Sequence, residues 1–271
     1  MIDLGTQPLG HTLKFAELDP DRLDYLFEAL AIVELPVVLD VFPRFDSADA
    51  RAAALHRGRE GLIADGLLPD GRIHQDVEAW LRVLEQPQWY VSARGVSRPF
   101  DVDSPIARIC SATSRIGTVT AARSDDSLVV RATSSIPRDV LDTLGGGQAY
   151  EFRSVSAPTD ALAEALDATP ADAGATASRL SHIGIDDETA QELASAMSTC
   201  SSHSEVTSVI VRSGNRFAGE HPVAFFDTHR GRILATSSTA SDGRRWTTLS
   251  PGGDARVKSA LTELVDRVAA S

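Results

Sequence analysis

FDTHRGRILATSSTASDGRRWTTLSPGGDARVKSALTELVDRV, residues 226–268, decides the fold reading because its punctuation is the most regular in the chain. A polar turn over residues 228–231 separates two apolar runs, and Ser241-Asp242-Gly243 marks a second turn before RRWTTL, whose bulky and β-branched residues favour strands. Two reversals in so short a span predict an antiparallel meander. After Pro251, residues Val257, Leu261, Leu264, Val265 and Val268 fall at i, i+4, i+7, i+8 and i+11, which is one stripe on a helix. Pro251-Gly252-Gly253 stops the last strand, and Asp254 is placed to cap the helix N-terminus. A striped helix that follows a meander must cover one face of the sheet.

The same punctuation extends upstream. A short strand is expected through Leu13, Phe15 and Leu18. Asp19 as N-cap and Pro20 at the first helical position then open a helix with Leu23, Leu26, Phe27 and Leu30 inward. Ser47 starts an Ala-rich helix that Asp65-Gly66 ends, and Val77, Trp80, Leu81 and Leu84 form a third stripe closed by Pro87. From Trp89 the period changes. WYVSAR, RIGTVTAAR and SLVVRATS read as strands, the last two joined across Ser124-Asp125-Asp126. Between the first and second of these, residues 95–105, GVSRPFDVDSP, read as an ordered, protruding loop carrying Phe100. A helix over 137–144 stops at Gly145-Gly146-Gly147, QAYEFRSV reads as a strand, and residues 158–166 as a short helix. Residues 168–181, ATPADAGATASRLS, exchange bulky side chains for Ala, Thr and Gly and read as the mid-chain junction. A helix over 187–197 with Ala190, Leu193, Ala194 and Met197 inward, then the strand EVTSVIVRS, open a second half whose element order repeats the first.

With 271 residues, 42% of them apolar and 24% charged, the chain has the balance of a soluble globular protein of one large domain or two small ones. The 38 acidic against 26 basic residues, a net charge of -12, argue against nucleic-acid binding and against anionic membrane surfaces. Cys110 and Cys200 lie far apart and in no CxxC spacing, which argues against a disulfide scaffold or a metal knuckle. The longest apolar run, LPVVLDVF, is broken by Asp40 and is too short to span a membrane, and no signal-peptide pattern is present, so a cytoplasmic protein is expected.

Catalytic grammar is missing. The seven histidines form neither HExxH nor an i, i+4 pair, and no GxSxG elbow occurs. Gly145-Gly146-Gly147 lacks the Lys and Ser or Thr of a phosphate loop and follows a helix instead of preceding one. At Gly252-Gly253, Asp254 would repel a bound phosphate, and Asp186-Asp187-Glu188 suits a helix start without any catalytic role. Weight therefore shifts to binding, with the uncovered faces of antiparallel strands and the loop around Phe100 as candidate surfaces. Two other readings stay open: a small-molecule-binding or hydrolytic enzyme using His221, Asp227 and His229, and a scaffold that self-associates through exposed strand edges.

DTHRGRIL followed by DGRRWTTLSPGGDARVKSAL, with FAELDPDRLDYLFEALAIVELPVVL, GLIADGLL and VEAWLRVLEQPQWYVSARG in order and spacing near the start, resembles the EspG family. Its members are cytosolic chaperones of type VII (ESX) secretion in mycobacteria and related actinobacteria. The resemblance implies an α+β fold: a single EspG-like domain over 1–271 with a central antiparallel β-sheet and helices packed against it. Its pseudo-two-fold halves would cover about 1–167 and 182–271, joined by 168–181. It implies binding to the helical tip of PE-PPE heterodimers, which keeps them soluble and directs them to the secretion machinery. No enzyme activity, cofactor, metal, nucleic acid or membrane insertion is implied, and a homodimer stays open. Asp227, Gly231, Arg232, Asp242, Gly243 and Trp246 are the landmark residues. The family's cargo surface maps onto Thr207, Thr236 and Ser238 on strands and onto Arg98, Phe100 and Val102 in the loop.

Overall fold

The computed structural model describes residues 9–42, 44–124, 126–167 and 172–271, and the chain folds into two compact units. The fold class is α+β, with antiparallel strands covered by helices. Unit 1 holds the described residues up to Ser92, together with Ala107–Asp139 and Val209–Phe217. It opens with β1 (Ala16–Leu18) and α1 (Pro20–Leu30), where the Asp19 carboxylate accepts a hydrogen bond from the Arg22 N–H and Pro20 occupies the first turn. This satisfies one of the orphan donors at the helix start and fixes its boundary. Ser47 does the same for α2 (Ala48–Ala64), accepting from the Ala50 N–H. The third helix, α3 (Gln75–Glu85), buries Val77, Trp80, Leu81, Val83 and Leu84, the expected stripe with Val83 added. Strands β2 (Trp89–Ser97), β3 (Ile106–Ser114), β4 (Gly117–Ser124) and β5 (Ser127–Ala132) follow. Within unit 1 the order is β1-β5-β4-β3, antiparallel throughout, and one core gathers Leu18, Leu26, Trp80, Leu81, Cys110, Val119 and Leu128. The hairpin link expected at 124–126 agrees with the pairing of Ser124 and Ser127; Asp125 lies outside the described residues.

Strand β3 was not expected. Residues Ile109, Cys110, Ser111 and Ala112 are buried consecutively, so the strand lacks the alternation that marks a half-exposed one. Its buried polar atoms are satisfied in series: the Ser111 hydroxyl lies 2.8 Å from that of Thr120, which donates to Asp139 at 2.7 Å, and Arg131 pairs with the same carboxylate at 2.6 Å. The protruding loop is correspondingly shorter than expected, since residues 95–97 still belong to β2.

Unit 2 holds Ala93–Ile106, Val140–Ser208 and Ala218–Ser271, and β2, β3 and the elements over 136–144, 200–212 and 215–218 contribute to both units. After α4 (Ile136–Leu144) come β6 (Val155–Pro158), α5 (Thr159–Asp167), α6 (Ala173–His182) and α7 (Asp187–Met197). The next strands are β7 (Cys200–Arg212), β8 (Asn215–Ala218), β9 (Val223–Thr228), β10 (Gly231–Thr239) and β11 (Arg245–Pro251); α8 (Asp254–Ala269) follows. Two expectations change here. The junction contains helix α6, N-capped by Asp172 and holding Leu180 in the core, while residues 168–171 lie outside the described residues. QAYEFRSV is strand only from Val155. Its start is held instead by two main-chain hydrogen bonds, Arg232 N–H to Gln148 at 2.7 Å and Tyr150 N–H to Arg232 at 3.0 Å.

In unit 2 the strand order is β7-β9-β10-β11-β6. The register sets two faces, because side chains opposite one another across a ladder point the same way. His203, Phe226 and Ile233 share one face with Glu205, Ala224, Ala235 and Leu249. Helices α5, α6 and α7 pack there through Leu162, Leu180 and Leu193. Val206, Val223, Phe225 and Leu234 are buried on the second face; α8, with Val257, Leu261, Leu264 and Val268 buried, packs on β9 from that side. The meander and closing helix read from residues 226–268 are therefore the middle of a three-layer unit.

Candidate partner-binding surface

On the first face of unit 2 the described helices do not close over the sheet. A groove of about 460 Å³ is floored by Ala224, Phe226, Ala235 and Ser237 and walled by Leu162, Ala163 and Leu166 of α5 and Met197 of α7. The floor is low because β9 and β10 carry Ala224, Ala235 and Ser237 where larger side chains would fill the space. The walls stop short because α5 ends at Asp167 and α7 at Met197. Phe226 and Met197, both half-buried, give the groove large and adaptable apolar contact area. His203 and Glu205 of β7 also line it.

The loop after β2 stands at the rim. Arg98 donates from Nε to the Cys200 carbonyl at 2.5 Å and from Nη2 to the Ser198 carbonyl at 3.1 Å, and its N–H donates to Ser201 at 2.8 Å. Its guanidinium stands 5.6 Å from the Phe100 ring centroid, and the other neighbour of that ring is His203, centroid to centroid 5.3 Å. Phe100 is thus held between an anchored cation and a groove residue, at a φ of 65° that a side chain of its size rarely adopts. Past it the loop closes on itself: the buried Ser104 hydroxyl accepts from the Asp101 N–H and donates to its carboxylate, which also accepts from the Asp103 N–H. Val102 sits on this small turn 97% exposed. Beneath the loop, burial pushes the Cys200 thiol up, against the pull of the Arg98 charge.

The residues expected at the surface divide. Arg98 and Phe100 border the groove, Val102 projects from the same loop, and Thr207, half-buried, continues the first face two residues beyond Glu205. Thr236 and Ser238 lie on the second face, opposite Thr248 and Trp246 of β11, and only Ser238 is exposed. Their neighbour Ser237 is the β10 side chain that lines the groove. The parity of a strand is legible in a sequence, but which parity a helix covers is not. Sequence reading also missed Leu162, Leu166 and Phe226. Met197 was placed inward on α7, which is correct in direction, since it faces the groove wall.

A second arrangement explains two of the landmark residues, Asp227 and Arg232. Arg232, 1% exposed, donates from Nε and Nη2 to the two oxygens of Asp227 at 2.6 and 3.0 Å and from Nη2 to the Gly145 carbonyl at 2.9 Å. Its Nη1 stands 3.8 Å from Asp254, and the guanidinium lies 4.4 Å from the Phe225 ring centroid. A Cβ on Gly147 would come within 2.8 Å of Arg232 Nε, so only glycine fits there. Asp254 does not cap α8 as expected. It is the first helical residue and accepts from the Gly147 N–H at 2.7 Å, while Gly253 holds the cap position. The triple glycine is therefore a helix stop and also one side of this knot. Asp227 also accepts from Ser202 at 3.0 Å, and the His229 ring nitrogen lies 2.5 Å from Thr199 Oγ1. With Asp227 committed to Arg232 and Ser202, the arrangement gives His229 no carboxylate partner in Asp227. Among the described residues no group of three or more His, Cys, Asp or Glu is placed to hold a metal ion. No described helix is long and apolar enough to cross a membrane.

Comparison with known proteins gives, among others, the following matches. The model of the EspG family matches residues 19–263. The ESX-3 secretion-associated protein EspG3 of Mycobacterium tuberculosis (strain CDC 1551 / Oshkosh) is 27% identical over 265 residues, covering 92% of this chain and 89% of that protein. The Mycobacterium tuberculosis type VII secretion system chaperone EspG5, solved in complex with the PE25-PPE41 dimer, has a similar fold. Its TM-score is 0.75 at 18% identity, covering 93% of this chain and 96% of that one.

Proposed function

The chain belongs to the EspG family, and from that premise we propose that it is a cytoplasmic chaperone of type VII secretion. In this reading it binds the helical tip of a PE-PPE-like heterodimer, keeps that cargo soluble and delivers it to the secretion machinery, without catalysing a reaction. The observation that carries the reading is the apolar groove on the first face of unit 2, bordered by a loop that presents Phe100 and Val102. An apolar helical tip exposed to water self-associates, and a groove that receives it removes that surface from water. Phe226, Met197, Leu162 and Leu166 supply the apolar contact; Arg98 and Phe100 stand at the rim against Ser198 and His203, Val102 projects from the same loop, and Thr207 continues the sheet face beyond Glu205. Thr236 and Ser238 reach the same cargo only from the far side of the β10–β11 hairpin. The named relatives support the assignment: EspG5 is described in complex with a PE25-PPE41 dimer, and EspG3 as associated with ESX-3 secretion.

Co-expression of the chain with PE-PPE pairs, followed by size-exclusion chromatography, tests this. A ternary complex that Met197→Glu abolishes without altering thermal unfolding is the expected result. Absence of a complex with every PE-PPE pair tried overturns the reading.

A further inference from the structure

The charge lining the groove is one-sided. Glu205 of β7 and Asp167 at the end of α5 both line it, and among the described residues no Lys or Arg does. Both residues are exposed, and neither has an ion-pair partner among the described residues. On α1, by contrast, Asp21, Asp24 and Glu28 each pair with an arginine from outside that helix, Arg44 or Arg57, Arg44, and Arg51 respectively. Asp167 is moreover the last residue of α5, at the negative end of the helix dipole, where a cation is the favoured occupant. Of the cations near the groove, Arg98 has Nε and Nη2 committed to main-chain carbonyls, and Arg245, two residues before Thr247 on the same sheet face, pairs with Asp160 at 3.7 Å. His203, the other titratable side chain lining the groove, lies against the Phe100 ring at a tilt of 49°.

A carboxylate is cheap to keep while water reaches it and costly once an apolar surface displaces that water, unless the incoming surface brings a donor. We propose that the groove selects cargo whose helical tip carries a Lys or Arg beside its apolar residues, with Glu205 and Asp167 as the specificity determinants. This rests on the chaperone reading above and adds to it the chemistry of the preferred tip. Apolar contact with Phe226 on the floor and Met197 on the wall supplies binding common to all tips. The two carboxylates reject tips that leave them unpaired, and acidic tips most of all.

The test uses the full chain and two synthetic helical hairpins with the same apolar tip, one flanked by Lys and the other by Glu. The Lys hairpin is expected to bind at least about tenfold more tightly, and the gap to narrow as NaCl rises from about 0.05 to about 0.5 M. Glu205→Lys with Asp167→Lys should invert the preference while the thermal unfolding temperature stays within a few degrees, since both positions are exposed. Equal binding of the two hairpins, or a preference that the double variant leaves unchanged, overturns the proposal and leaves the chaperone reading intact. Binding of neither hairpin, together with no complex with any PE-PPE pair, overturns both.

Discussion

Arg232 and Arg98 each hold a loop of unit 2 by donating to main-chain carbonyls, and the two loops come out opposite in character. Arg232 has Asp227 opposite its fork, Phe225 against its plane and a glycine where any side chain would collide with it. It ties the β9–β10 hairpin to residues 145–150 and to the start of α8. Arg98 has no carboxylate opposite its donors; it is fixed by carbonyls on one side and leaves its other side to Phe100. The difference teaches how one residue type is put to two uses. A buried guanidinium held by a carboxylate builds architecture, because removing either partner leaves a buried charge unpaired. Anchored at an edge, the same group positions a neighbour for display.

The comparison breaks most visibly at Arg232. Arg232→Ala should lower unfolding free energy by about 3–5 kcal/mol in urea titration, since it strands Asp227 and empties the space over Phe225. A loss under about 1 kcal/mol would mean that the knot is decoration. Gly147→Ala should cost about 1–3 kcal/mol through the collision with Nε, measured the same way. At the other arginine the sign of importance reverses. Phe100→Ala should leave unfolding within about 1 kcal/mol of the parent while weakening PE-PPE binding about tenfold in calorimetry. Smallest is Val102→Ser, expected to change stability by less than about 0.5 kcal/mol and binding by about two- to fivefold. If Val102→Ser instead costs more binding than Phe100→Ala, the turn tip and not the ring is the anchor.

These two regions also show what the sequence could and could not reveal. Caps and stripes placed α1, α2, α3, α7 and α8 because those signals are local and each rests on one or two residues, Asp19, Ser47 or the spacing of Leu261 and Leu264. The meander was legible for the same reason. β3 was not, since burial on both faces erases the period that identifies a strand, and its run of Cys, Ser, Ala and Thr lacks bulky markers. Helix α6 was hidden by small residues whose cap, Asp172, stands in a compositionally bland stretch. The groove was the least legible of all. The residues lining it come from seven separate elements between Thr159 and Leu249, and its depth depends on three small side chains, Ala224, Ala235 and Ser237. The Phe100 loop could be named from sequence because an aromatic among prolines and aspartates stands out, whereas its contact with His203 spans about a hundred residues.

The path of the chain between the units carries a consequence for how the protein is made. It crosses at residues 92/93, 106/107, 139/140, 208/209 and 217/218, so unit 1 needs the segment Val209–Phe217 and unit 2 needs Ala93–Ile106. A ribosome that has finished everything up to Asp139 has still not supplied unit 1 with its last segment, and most of the helices that bury unit 2 are not yet translated. Neither unit can therefore be completed ahead of the other during synthesis, and a nick in any of the crossing segments deprives one of them of a strand. Limited proteolysis should consequently yield no stable fragment that corresponds to a single unit.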